Sequence, residues 1–121
     1  QLTEQGRNYA KNAAALEVLS TLRTQIQVYK LQHGDTPPLL YQGLLPQLTN
    51  ATNLQGRPGP RGPQFPLGPY LNEIPANPLT DVATITATEE APPKQASGKG
   101  GWLYHQATGR VFVDAPELLG K

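Results

Sequence analysis

Residues 13–38 read AAALEVLSTLRTQIQVYKLQHGDTPP, and the fold is decided in this stretch. Ala15, Leu19, Leu22, Ile26 and Tyr29 step by four, three, four and three, which places them on one stripe of a 3.6-residue helical period facing a partner surface. Arg7, Lys11, Glu17, Arg23, Gln27 and Lys30 lie largely off that stripe. Proline is absent from residues 5–32, and Ala13, Ala14, Ala15, Leu16, Leu22, Arg23 and Lys30 are good helix formers. One helix over about residues 5–32 is therefore expected, roughly 40 Å long at 1.5 Å per residue. His33-Gly34 supplies its C-terminal cap, with glycine free to take positive φ, and Pro37-Pro38 forbids continuation. That length exceeds what a small domain needs to cover its own sheet, so part of the helix is expected to project toward something else. The helical pattern is already running within a few residues of Gln1 without a proline or capping box, which reads as a helix continuing from upstream.

Around this helix, 121 residues suffice for one modest core, and residues 1–121 are read as a single domain. Ten Lys plus Arg against nine Asp plus Glu leave a net charge of +1, which supplies no field to steer a polyanion, so no nucleic-acid partner is expected. Thirteen prolines and 12 glycines require much of the domain to be long Pro/Gly-rich loop. A variable loop region over residues 35–81 and a β region over residues 82–115 follow. With no cysteine there are neither disulfides nor thiolate metal sites. No run of about 18 apolar residues is present to span a bilayer.

Downstream of the helix, Leu44, Leu45 and Leu48 are read as one face of a short helix interrupted at Pro46. Residues 50–69 read as a surface loop. It contains the formal glycosylation acceptor Asn50-Ala-Thr and three Gly-X-Y triplets starting at Gly56, Gly59 and Gly62, too few to hold a collagen-like triple helix. Tyr70, Leu71 and Ile74 anchor a proline-fixed strap that ends at Pro78. VATITAT, residues 82–88, alternates in the manner of a strand. WLYH at 102–105 and RVFV at 110–113, joined through Ala107-Thr108-Gly109, read as a β-hairpin with Gly109 in the left-handed position. Period two puts Trp102 and Tyr104 on one face and Leu103 on the other, and separates Val111 and Val113 from Phe112.

The residues carry no catalytic constellation. His33 and His105 have no His, Cys or carboxylate at i+3 or i+4 and are expected to face solvent. Ser20 or Ser97 with His105 and Asp114 has the composition of a triad, but neither serine sits in a G-x-S-x-G context. Glu89 and Glu90 are read as solvated loop residues, and GKGG at 98–101 lacks the Walker spacing. Trp102, Tyr104 and Phe112 beside Arg110 have the makings of an aromatic nucleic-acid platform, but a small hairpin needs such residues as its core, and they are read so. The chain is thus not expected to be an enzyme.

Three segments in order carry a resemblance. Leu22, Ile26, Tyr29, Lys30, Leu31, His33 and Gly34 end the helix; GPYLNEIPANPLT follows at 68–80; then GWLY at 101–104 with ATGRV at 107–111. Together they resemble bacterial type IV pilin-like proteins, most of all the major pseudopilin of type II secretion. The resemblance covers nearly the whole chain, the loops at 50–67 and 86–100 matching least. It implies an α+β fold with a long N-terminal helix packed on a small antiparallel sheet. It also implies a subunit anchored in the inner membrane by an apolar N-terminal segment and assembled through it into a filament, with this domain in the periplasm or on an extracellular filament. Major pseudopilins often bind calcium in a C-terminal loop; the expected acidic cluster is not evident here, and Asp81 and Asp114 are the candidates. The competing reading is a periplasmic or cell-surface binding module that recognises a partner through the Pro/Gly-rich loop 56–69.

Overall fold

A computed structural model of the chain describes residues 3–121. The fold is α+β: one long N-terminal helix with a small antiparallel sheet and a small mixed sheet. Helix α1 spans Glu4–Gln32. Thr3 caps it, its side-chain oxygen accepting the Gly6 N–H at 3.0 Å. The third helical position is a glycine, so no capping box marks this start in the sequence. Against the expectation of a helix already running from upstream, Thr3 is extended at φ −69 and ψ 167, so α1 begins at Glu4; what precedes Thr3 lies outside the described residues. At the far end the His33 N–H bonds the Lys30 carbonyl at 3.2 Å, and Gly34 turns the chain away at φ +66.

The buried residues of α1 are Ala15, Leu19, Leu22, Ile26 and Tyr29. Residues 4–14, about 16 Å of helix, precede the first of them. Against this stripe packs a hairpin of β4, Trp102–His105, and β5, Arg110–Val113, with Trp102 opposite Val113 and His105 opposite Arg110. Residues 106–109 join the two strands, and Gly109 takes φ +74. Trp102, Tyr104, Val111 and Val113 belong to the same apolar cluster as the helix stripe. Phe112 is buried on the opposite face, across from Leu103.

Strand β3, Ile85–Ala87, pairs with β4 in parallel, Ile85 beside Trp102 and Ala87 beside Tyr104. This corrects the expectation of a wholly antiparallel sheet. Parallel neighbours need a crossover of about a dozen residues or more, and residues 88–101 supply one. The expected strand over residues 82–88 is also shorter than read, because the Val82 carbonyl accepts the Asn77 N–H at 2.8 Å and closes a turn instead.

Residues 35–81 are more ordered than a loop reading suggests. Helix α2, Pro46–Thr49, begins at the proline rather than being interrupted by it. Proline suits the first helical turn, where its missing N–H has no partner to lose. Leu45 and Leu48 are buried, whereas Leu44 is exposed. Strand β1, Ala51–Thr52, pairs antiparallel with β2, Pro58–Gly59. Gly62 bridges Phe65 across a tight turn, so the Gly-X-Y triplets end in turns and a ladder. The strap beyond is tied by the Tyr70 and Leu71 N–H groups, both donated to the Leu48 carbonyl at 2.8 and 3.1 Å. The indole N–H of Trp102 donates to the Pro75 carbonyl at 2.8 Å.

Candidate functional site

Helix α1 has a second side. Beside the buried Leu19, Leu16, Ser20, Thr24, Gln27, Val28 and Leu31 border a shallow groove along the helix, Leu16 itself packing against the core. Leu31 is 84% exposed, and near the helix start Tyr9 is 78% exposed. The buried stripe repeats at i, i+3, i+4 because the sheet covers it; the outer residues repeat at the same spacing with nothing from this chain covering Leu31. The helix therefore keeps one apolar side for this domain, while its mixed outer side leaves Tyr9 and Leu31 open. Ser20 lies on the open side.

At the C-terminal end of α1 the structure corrects the reading of His33. Far from facing solvent, it is 7% exposed. Its Nδ1 lies 2.7 Å from the Tyr29 carbonyl and its Nε2 2.9 Å from the Thr52 hydroxyl oxygen. A backbone carbonyl can only accept, so Nδ1 carries a proton and donates to Tyr29. The ring stacks on Tyr29 with centroids 3.8 Å apart, and Tyr70 stands edge-on to both rings. The i, i+4 spacing of Tyr29 and His33 was the available signal, since it puts His33 on the buried stripe. Its other partner, nineteen residues downstream, left no local mark. Thr52, the last residue of the Asn50-Ala-Thr stretch, is fully buried in this contact, whereas Asn50 is exposed.

The remaining candidates are spread over the sheet's two ends. Asp114 is buried; one carboxylate oxygen accepts the Ser97 N–H at 2.8 Å and the other the Ser97 hydroxyl. The pair pins the 88–101 crossover to the end of β5. His105 stands at the opposite end of β4, paired with Arg110 and 2.7 Å from the Thr108 hydroxyl oxygen. The three polar groups of the hypothetical triad are thus not brought together. Glu90 lies 3.4 Å from Lys94 on the surface. Asp81 sits exposed in a turn at φ +60. Calcium takes six to eight oxygen ligands; with Asp81 exposed and Asp114 committed to Ser97, these residues do not form such a shell. Among the described residues no three His, Cys, Asp or Glu side chains group as metal ligands.

Burial also sets the local titration. It pushes the Tyr29 phenol up to about 12, with Tyr70 adding to the effect. Burial raises Tyr104 further, its hydroxyl donating to the Pro38 carbonyl at 2.6 Å. Arg23 is lowered by burial and by the like charge of Arg110. Both guanidinium carbons stand over the Phe112 ring, 5.6 Å from its centroid for Arg23 and 5.1 Å for Arg110.

No family model matches the chain, and no curated protein and no solved structure matches it.

Proposed function

We propose that this chain is the coat domain of a filament subunit of the pilus or pseudopilus kind, in a bacterial type II secretion or type IV pilus system. The observation that carries the proposal is α1: its buried stripe begins at Ala15, so residues 4–14 extend past the core, and its outer side carries the exposed Tyr9 and Leu31. A helix shared with neighbouring subunits accounts for three turns that precede the core and for an apolar side chain exposed on them. The three sequence segments that resemble type IV pilin-like proteins support the same reading. In it, assembly runs through the N-terminal side of α1 and a membrane-anchoring segment that precedes it. The domain stands in the periplasm or on an extracellular filament, and the role is structural rather than catalytic.

The test is fractionation of the source cells with an antibody against this domain. Recovery in the inner-membrane fraction and in sheared filaments is expected. Recovery as a freely diffusing periplasmic protein, with no filament pool under conditions that induce the secretion or pilus system, overturns the proposal and leaves the binding-module reading.

A further inference from the structure

Where α1 passes the β4–β5 connection there is a cleft of about 410 Å³. Its lining includes four cationic side chains, Arg23, Lys30, Arg110 and Lys121, and no acidic one. In a chain whose net charge is +1 this is a strong local excess. Arg23 and Arg110 share the Phe112 ring, and Arg23 is partly desolvated. Like charges gathered at one ring repel, and partial burial strengthens the repulsion. Among the described residues, ion pairs between side chains join Lys30 to Asp35 at 3.8 Å and Lys94 to Glu90; Arg23 meets the Lys121 main-chain oxygen at 2.9 Å, a carboxylate oxygen in the 121-residue chain, and Arg110 has no ion pair.

The donors are not exhausted by the fold. A guanidinium carries five N–H groups. Arg23 places its Nε and one Nη on the Val111 carbonyl at 3.1 and 2.9 Å, and its other Nη on the Lys121 backbone oxygen at 2.9 Å. Arg110 gives one N–H to the Ala91 carbonyl at 3.2 Å. Lys30 gives one to the Thr108 carbonyl at 3.1 Å. These carbonyl bonds fix the three cations in position and leave further N–H groups on each for a ligand. The backbone N–H groups of the connection are already used: Thr108 and Gly109 donate to the His105 carbonyl, and Arg110 to the Thr108 hydroxyl. Recognition here is therefore by side-chain cations.

We propose that this cleft binds a phosphate-group dianion, held by Arg110 and Arg23 with Lys30 and Lys121 as point charges. Guanidinium forks match the tetrahedral oxygens of phosphate, and two negative charges offset the local excess better than one carboxylate does. The volume exceeds that of the ion itself, so the group can be free phosphate or the head of a phosphorylated lipid. The site does not depend on the filament role, and its failure leaves that proposal standing.

The experiment is a titration of the 121-residue chain with inorganic phosphate at neutral pH, ionic strength held constant with chloride and amide NMR shifts recorded. Saturable shifts confined to residues 23–30 and 108–111 are expected, with affinity falling as salt is added. Shifts that grow linearly, or that chloride alone reproduces, overturn the proposal. Arg110→Gln and Lys30→Gln are each expected to weaken phosphate about tenfold, the effect of one lost charge-assisted bond. Circular dichroism establishes which variants fold, and wild-type affinity in a folded variant overturns the assignment. Vesicles of phosphatidylcholine with and without phosphatidic acid separate the sources: co-sedimentation that inorganic phosphate reverses assigns the headgroup, and saturable phosphate binding without co-sedimentation assigns the free anion.

Discussion

Tyr104 ties the sheet to the segment leaving the helix through a single buried bond, from its hydroxyl to the Pro38 carbonyl. Tyr104→Phe removes the donor and leaves that carbonyl sharing the Gln106 amide alone. A loss of about 1–2 kcal/mol is expected in urea denaturation. The buried phenols also make stability depend on alkaline pH. Tyr29 is held near 12 in the native state against 10.0 for a free phenol. Through that window the unfolded chain releases a proton that the native chain keeps, so stability is full below 10.0 and falls as pH rises toward about 12. The expected slope is at most about 1.4 kcal/mol per pH unit for each such tyrosine. Urea midpoints measured across the window for the native chain and Tyr29→Phe check it: the variant must fall less steeply. Residues of this kind are where the sequence was hardest to read. Tyr29 and Tyr104 followed from periodicity, but the burial of His33 depended on Thr52, and the pairing of Ser97 with Asp114 depended on how the crossover folds back. Gly101 is a like case: it takes φ +72, and a Cβ there would stand 2.0 Å from the Thr84 carbonyl oxygen, a constraint that exists only once β3 lies beside β4.

At the scale of elements, α1 was legible because residues 15–29 repeat one period and Gly34 with Pro37-Pro38 ends it. The hairpin was legible because two four-residue strands alternate about a turn glycine. The two-residue strands β1 and β2 were not, since two residues carry no period. Nor was the parallel direction of β3, which is set by the length of the crossover and not by the strand's own residues. The two sides of α1 give a paired prediction. Leu22 is fully buried and Leu31 is 84% exposed. Leu22→Ala is expected to cost about 2–5 kcal/mol through lost transfer energy and a residual cavity. Leu31→Ala should stay within about 0.5 kcal/mol, because no atom of this chain repacks around it. Equal losses in thermal or urea unfolding would mean that the helix faces have been assigned wrongly.

For the whole molecule, the two features of α1 pull apart. Residues 15–29 are locked by the core, whereas residues 4–14 contribute no buried side chain. Asn8, Lys11 and Asn12 border an open cavity beside Pro116 and Leu119 and do not close it. A helix of about 12–15 residues or fewer is marginal in water by itself, so this first portion holds its shape by continuing the packed portion and by the Thr3 cap. Native-state hydrogen exchange should therefore show a gradient. Amides in residues 19–29 should exchange only through global unfolding, while those in residues 7–13 should exchange through local fraying with far lower protection. The gradient also discriminates between the two readings of function. A filament covers the projecting helix with neighbouring copies, so residues 7–13 should gain protection in assembled filaments while residues 19–29 barely change. A binding module that acts through residues 56–69 predicts instead that protection on engaging its partner rises in that loop, with residues 7–13 as open as in the free chain. Equal protection along all of α1 in the free chain would remove the physical ground for a projecting assembly helix, because the first three turns would then be as firmly held as the core.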